Sequence, residues 1–503
     1  MAETAKPAPN CAMVIFGANG DLTKRLVVPA LYNLAKSNLL PQHFAIVGVD
    51  HNEKNAEDWR CALHDFLQQT LKSGKGEFEG GKLDDSAWKR VAGAMSYLTG
   101  DFTKDDTYSR LADHLKKREQ DTPFDGNVLF YLATADRFFG TIVDELGKAK
   151  LVGEDGHWRR VVIEKPFGHD LPSAKELNAR VTKVLREEQI YRIDHFLGKE
   201  TVQNIMALRF ANGLFEPIWN RDRIDHIQIT VAESIGIGTR GKFYEQTGAL
   251  RDMVPNHLFQ LVAMTAMEPP VSFDAEAVRA KKAEVFQAVH PLTAADAVRG
   301  QYADGKIGDH SVVGYRKEEN VDPDSSIETY VALKLRIDNW RWAGVPFYLR
   351  TGKRMPKRTT EIAIRFKRAP YLLFRDTPMD ELSSDWMILQ IQPDEGIRLR
   401  FNAKVPGPTV TLEGVAMDFK YSDWFKQAPA VGYETLLYDC FIGDATLFQR
   451  ADQVEAAWAV VQPLLDAWTA AKPDDFPNYA AGTPGPKCAD ELIAGDGRKW
   501  RPL

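Results

Sequence analysis

Residues 12–16, AMVIF, form an uninterrupted apolar run that breaks directly into GANGDL, and from Leu22 to Ala35 apolar residues recur at helical spacing. A run that short and apolar suits a strand buried on both faces. The local order is therefore strand, glycine turn, helix. FAIVGV (44–49), NVLFYLA (127–133) and RVVIEK (160–165) supply further apolar runs, with helical patterns between them at 57–72 and 136–150. Apolar strands alternating with helices dictate a parallel sheet covered on both faces, the α/β doubly wound, Rossmann-like arrangement.

After residue 200 the pattern changes. RIDHIQITVAES, ETYVALKLRI, TTEIAIRFKR and WMILQIQ alternate apolar and polar residues, as strands with one wet or helix-covered face do. KETVQNIMALRFAN and GALRDMVPNHLFQLVAMTAM are helical. The prediction is an α+β domain on a mainly antiparallel sheet covered by helices. A chain of 503 residues exceeds one ordinary core. We expect a dinucleotide-binding domain over 1–197 and a substrate-binding and oligomerisation domain over 198–503. IYRIDHFLGKE (190–200) lies at that junction, where ligand clefts are favoured.

That stretch sets Arg192, Asp194, His195 and Lys199 among Ile190, Ile193, Phe196 and Leu197. Ions do not sit unpaired among apolar groups without cost. Either they fix a chain reversal as a partly buried ion network, or they line a cleft and hold an anion. A net charge of −6 argues against a general nucleic-acid or membrane-surface binder, so any phosphate site is local. Cys11, Cys61, Cys440 and Cys488 show no CxxC or zinc-type spacing and read as free thiols. The start, MAETAKPAPN, lacks a cationic, apolar leader, and no run approaches the ~18 apolar residues of a membrane span. A cytoplasmic protein is expected.

Gly17 and Gly20 let the backbone turn from strand to helix and approach a pyrophosphate, whose charge meets the helix N-terminal amides. Their spacing, GxxGDL, also suits a plain tight turn. Its place after the first strand makes Gly17, Ala18, Asn19, Gly20, Asp21 and Leu22 the candidate cofactor loop. In VVIEKPFGHD, Lys165 is either a solvated strand exit beside Pro166, which forms a turn through a cis or a trans bond, or a group aimed into the crevice at the sheet's C-terminal edge. In GALRDMVPNHLFQ, His257 reads either as a hydrogen-bonded core residue or as a base near neutral pKa, which a dehydrogenase needs when hydride leaves. Asp194 is a candidate to orient such a base. YLRTGKRMPKR carries Lys353, Arg354, Lys357 and Arg358 after a strand, a solvated turn or a ligand-binding pair.

Together GANGDLTKR, EKPFG, RIDHFLGKE, DMVPNH and RTGKR, in this order over most of the chain, resemble the glucose-6-phosphate dehydrogenase family. The departure is Phe196, where that family usually carries Tyr. The resemblance implies that His195 and Lys199 grip the sugar phosphate and that His257 removes the anomeric hydroxyl proton. It implies that Asp194 orients His257, that Lys165 lies beside nicotinamide and substrate, and that Glu233, Asp252, Lys353 and Lys357 bind sugar hydroxyls. The reaction implied is oxidation of glucose 6-phosphate to 6-phosphogluconolactone, opening the oxidative pentose phosphate route. No metal is called for, and a homodimer or homotetramer is the expected assembly.

For the cofactor, a carboxylate ending the second strand bonds the ribose hydroxyls of NAD, whereas an Arg pairs with the 2′-phosphate of NADP. Here Gly48-Val49-Asp50-His51 replaces the family's Gly-x-x-Arg. Asp50 and His51 thus point to NAD used at least comparably with NADP, unless Asp50 only caps the following turn. Two rival readings are a sugar dehydrogenase of the glucose-fructose oxidoreductase type and a silent dinucleotide sensor.

Overall fold

The computed structural model describes residues 5–73, 82–370, 383–425 and 432–503; part of the expectation drawn from the N-terminal stretch falls on residues 1–4, outside them. The chain forms two compact units. The first comprises Met1–Glu200, Pro270–Ala280 and Ala428–Val454, the second Thr201–Pro269, Lys281–Gln427 and Glu455–Leu503.

The first unit is built on a six-stranded sheet of order β3-β2-β1-β4-β5-β6, parallel throughout. Its strands are β1 (Cys11–Phe16), β2 (Phe44–Asp50), β3 (Met95–Thr99), β4 (Val128–Leu132), β5 (Arg159–Ile163) and β6 (Ile190–Arg192). β1, β2 and β4 are buried at every position, as their continuous apolar sequences require. The intervening helices are α1 (Val28–Lys36), α2 (Ala56–Ser73), α3 (Asp85–Ala94), α4 (Asp105–Asp121), α5 (Phe139–Lys148) and α6 (Leu171–Thr182). Strand order reverses at β1 and β4, which places the ligand crevice of such a sheet outside their C-terminal ends. β3 and β6 escape the sequence pattern because each is short and carries polar residues.

The helices α7 (Glu200–Phe210), α8 (Gly241–Met253) and α9 (Phe259–Ala266) come next along the chain, with α10 (Ala275–Gln287) and the short α11 (Tyr421–Trp424) after them, and the strands of the second unit begin with β7 (Ile224–Ala232) and β8 (Ala297–Gly300). Short strands β9 (Tyr302–Ala303), β10 (Gly305–Ile307) and β11 (His310–Val312) precede β12 (Tyr330–Leu335), β13 (Phe347–Gly352) and β14 (Thr359–Phe366). β15 (Trp386–Gln392), β16 (Gly396–Lys404) and β17 (Leu412–Lys420) complete an eight-stranded sheet of order β17-β16-β15-β14-β7-β13-β12-β8. Its pairings are antiparallel except β7 with β13.

The alternation in β7 marks a strand, but its polar face is not wet. His226, Gln228 and Thr230 are all buried. Gln228 donates to the carbonyl of Lys499 (2.9 Å), the Arg501 amide donates to Gln228 (2.8 Å), and Arg350 Nε donates to Thr230 (3.0 Å). The C-terminal segment thus covers the centre of the sheet and satisfies polar groups that would otherwise face solvent. Burial fades toward β17, where Val415 and Met417 are exposed. The four cysteines are free thiols. Among the described residues no helix is long and apolar enough to cross a membrane.

Candidate active site

In the first unit the candidate residues gather at the C-terminal edge of the parallel sheet. The loop after β1 turns at Gly17 (φ +86°), where an added Cβ would lie 2.3 Å from the Ala133 carbonyl oxygen. That glycine is demanded by the chain crossing from β4. Thr23 donates to the Gly17 carbonyl (2.9 Å), Trp59 Nε1 to the Ala18 carbonyl (3.0 Å), and the helix begins as a π turn over Thr23–Val27. The fixed loop presents Asn19, Gly20, Asp21 and Leu22, partly or wholly exposed, while Ala18 is fully buried and can offer backbone alone. An amide-bearing loop fixed at a helix start suits the phosphates of a dinucleotide. Asp21 also pairs with exposed Arg25 (3.2 Å).

Asp50, at the end of β2, is buried and caps the local turn. Its Oδ2 accepts the Asn19 amide (3.0 Å), and its Oδ1 accepts the amide and side chain of Asn52 (3.1 and 2.8 Å). His51 Nδ1 lies 3.2 Å from Oδ1, with its side chain 75% exposed. Asn19 also bonds Tyr97 Oη (2.6 Å) and accepts from Lys54 (3.0 Å). Burial, reinforced by the Asp50 charge, pushes the Tyr97 phenol up to about 12. Sequence reading did not single out Tyr97 or Asn52.

At the end of β5, Glu164 is buried and Lys165 half-buried, and the Lys165–Pro166 peptide is cis. Tyr131, from neighbouring β4, donates to Glu164, and Tyr433 donates to Glu164 Oε1 at 3.2 Å. Burial raises the Glu164 carboxyl to about 7 despite those two donors. One strand over, the 190–200 segment divides in two. Arg192 is buried, bonded to Glu187 (2.5 Å), Asn178 (3.1 Å) and the Gln449 carbonyl (3.4 Å). It is the ion network of the chain reversal and is spent on structure, so the phosphate-clamp reading narrows to its neighbours. Asp194 Oδ1 accepts the Phe196 amide (3.0 Å), starting a turn continued by Leu197, Gly198 and Lys199. Phe196 lies beside both polar groups: its ring meets His195 edge-on (5.1 Å), and Lys199 Nζ lies 5.8 Å from its centroid.

In the second unit a helix is reset to carry the candidate base. Gly248 breaks α8 with φ 63° and ψ 179°. Glu328 accepts the Leu250 amide (2.9 Å), which caps the restart, and burial raises that carboxyl's pKa. Asp252, half-buried, lies on the new turns, and a π turn spans Val254–Leu258. Pro255 cannot donate to the Arg251 carbonyl, and Asn256 Nδ2 does so instead (3.1 Å). His257, in this turn, is 2% exposed. Such bulges recur at functional sites.

Beside β7, Lys353 and Glu233 form an ion pair, with Lys353 Nζ 5.7 Å from the Tyr244 ring. Arg354 is pinned instead to Glu318 (3.0 Å). Lys357 lies on the exposed turn that follows. Glu328 and Tyr433 carry no sequence signal that distinguishes them from any capping Glu or core Tyr.

A doubly wound sheet with an amide-bearing glycine turn, followed by a mainly antiparallel sheet with an acid and a lysine at its strand ends and a buried histidine on a helix turn, fits a nicotinamide-dinucleotide oxidoreductase. Residues 14–204 match the family model described as "Glucose-6-phosphate dehydrogenase, NAD binding domain", and residues 206–501 match "Glucose-6-phosphate dehydrogenase, C-terminal domain". Glucose-6-phosphate 1-dehydrogenase of Chlamydia muridarum is 46% identical over 100% of this chain and 98% of its own length, and that of Bacillus subtilis 42% over 98% of both. Among solved structures, a glucose-6-phosphate dehydrogenase in complex with its substrate superposes with TM-score 0.88 at 32% identity, covering 99% of this chain and 100% of the other. The Mycobacterium avium enzyme gives 0.83 at 39% identity, covering 99% of each. The chain belongs to the glucose-6-phosphate dehydrogenase family.

Proposed function

We propose that this enzyme oxidises D-glucose 6-phosphate at its anomeric carbon, giving the 6-phosphogluconolactone and opening the oxidative pentose phosphate route. The observation that carries the reading is the His195–Phe196–Lys199 turn at the C-terminal edge of the parallel sheet, an imidazole and an ammonium beside one apolar ring, in a chain whose relative of solved structure is in complex with glucose 6-phosphate. His195 and Lys199 bind the phosphate. Glu233, Asp252, Lys353 and Lys357 orient the sugar hydroxyls. His257 takes the anomeric hydroxyl proton, with Asp194 as its orienting carboxylate, and Lys165 lies beside the reacting carbon. The dinucleotide, held by the Gly17–Leu22 loop, supplies the hydride acceptor when bound.

We assign cofactor binding to residues 1–197 and substrate binding and assembly to 198–503. We read the cofactor as NAD at least comparably with NADP: His51 stands where the family commonly has the Arg that meets a 2′-phosphate, and the Asp50 carboxylate beside it would repel that phosphate. The uncovered edge strand β17 supports a homodimer or homotetramer, and four free thiols support a cytoplasmic setting. The test is cofactor reduction followed at 340 nm against sugars with and without the 6-phosphate. Reduction with glucose 6-phosphate far above that with glucose supports the reading, and equal rates with the two sugars sink it.

A further inference from the structure

We propose that Glu164 is a positioning residue for phosphate recognition: its buried carboxylate holds the Tyr433 hydroxyl and, through that ring, sets the orientation of His195. The inference rests on the reading of His195 as a phosphate ligand. Glu164 is 5% exposed and accepts phenolic hydroxyls from two directions, Tyr131 from β4 and Tyr433 from α12 (Tyr433–Ile442), the latter reaching Oε1 at 3.2 Å and Oε2 at 3.5 Å. The Tyr433 ring lies nearly parallel to His195, 15° between planes and 6.4 Å between centroids. The start of α12 is locked against the 194–199 turn, because a Cβ on Gly198 would lie 2.2 Å from the Gly432 carbonyl oxygen and Gly432 holds φ +92°. With the backbone fixed there, the tilt of the Tyr433 ring is decided by where its hydroxyl is held. That place is Glu164.

The arrangement makes phosphate affinity depend on one proton. An ionised Glu164 accepts from both tyrosines. A protonated one loses the charge that strengthens both bonds and, with its proton on Oε2, the 3.5 Å contact there, so Tyr433 is held only by a weaker neutral acceptor at Oε1. The groups facing the carboxyl are Lys165 on its own segment, Asp194 in the turn after β6, Tyr131 on β4, and Tyr433 and Cys440 on α12. Burial sets the titration at about 7, Lys165 pulling it down and Asp194 up. No part of this requires Glu164 to touch the sugar.

Glu164→Gln imitates the protonated state, and KM for glucose 6-phosphate is compared with wild type at pH 6 and pH 8. Taking the ratio at each pH cancels the titration of the substrate phosphate. At pH 8 the variant's KM is expected to rise roughly tenfold, the worth of one hydrogen bond to a buried charge, with kcat changed less than about threefold. At pH 6 the ratio falls below about twofold. Tyr433→Phe reproduces the pH 8 loss, and the double variant adds little to either single one. A ratio equal at both pH values, a loss falling on kcat, or additive losses overturns the assignment. His195→Ala separates the two readings. If it weakens glucose and glucose 6-phosphate alike, the phosphate role of His195 fails. If it is selective for the phosphate while Glu164→Gln shows no pH-dependent loss, only the role of Glu164 fails.

Discussion

The Lys353 ammonium is paired with the Glu233 carboxylate under the Tyr244 ring, the lysine side chain 3% exposed and the glutamate 27%. Removing the lysine leaves a largely enclosed carboxylate without its counterion. Lys353→Met is expected to cost about 2 kcal/mol, below the 3–5 kcal/mol of a fully buried pair because Glu233 retains some water. Adding Glu233→Gln should recover much of that loss. Urea midpoints of the two singles and the double measure the coupling, and strictly additive losses would show that the pair contributes nothing as a pair.

Gly248→Ala tests the restart of the helix that carries Asp252 and His257. Its φ/ψ belongs to a region essentially reserved for glycine, and the new Cβ would lie 2.3 Å from Glu328 Oε1. The strain costs of order 1–3 kcal/mol. Because the cap at Leu250 is lost with it, turnover should fall as well as stability. Wild-type turnover in a destabilised variant would show that the restart does not place the base.

His257→Asn should lower turnover by roughly 100- to 10,000-fold with little change in substrate binding, the range for loss of a general base. The imidazole is 2% exposed within the π turn, and Asn keeps a comparable polar side chain there. Retention of a tenth of the activity would return His257 to the bland reading of a core histidine.

The cofactor reading is checked by the ratio of specificity constants for NAD and NADP at saturating sugar phosphate. A ratio near unity or favouring NAD is expected, and His51→Arg with Asp50→Ala should shift it toward NADP. Since Asp50 also accepts the Asn19 and Asn52 amides, the double variant should lose some affinity for both cofactors. A wild-type preference for NADP above about a hundredfold, roughly 2.7 kcal/mol, would overturn the reading.

Stability should carry a pH signature of Glu164. Its folded pKa, about 7, lies above the unfolded value near 4.3, so between these the folded state binds more protons and its stability falls as pH rises. The loss nears completion about one pH unit above 7 and amounts to about 4 kcal/mol. Glu164→Gln should remove this slope, seen as a smaller difference between urea midpoints at pH 5 and pH 7.5. Parallel profiles for variant and wild type would place the titration elsewhere.

The strand–turn–helix at residues 11–36 was legible because apolar continuity and two glycines leave few alternatives, and the five motifs located most of the candidate site residues. Arg192 was harder. Nothing in IYRIDHFLGKE separates a cation spent on Glu187 from one that meets a ligand, since that depends on Asn178 in the preceding helix and on Gln449, far along the chain. What covers the polar face of β7 was hidden for a like reason: Lys499 and Arg501, which bond it, lie some 270 residues further on. Tyr433 was invisible because its use depends on the approach of Gly198 to Gly432.

The first unit takes in residues 428–454, and with them α12 and Tyr433. During synthesis its parallel sheet emerges from the ribosome early, yet the carboxyl of Glu164 waits for its second phenol until more than two hundred further residues have been made. The dinucleotide-binding half therefore cannot finish its own interior first and serve as a completed platform for the rest. A chain halted before residue 428 would leave the Glu164 carboxyl without the Tyr433 hydroxyl in its interior.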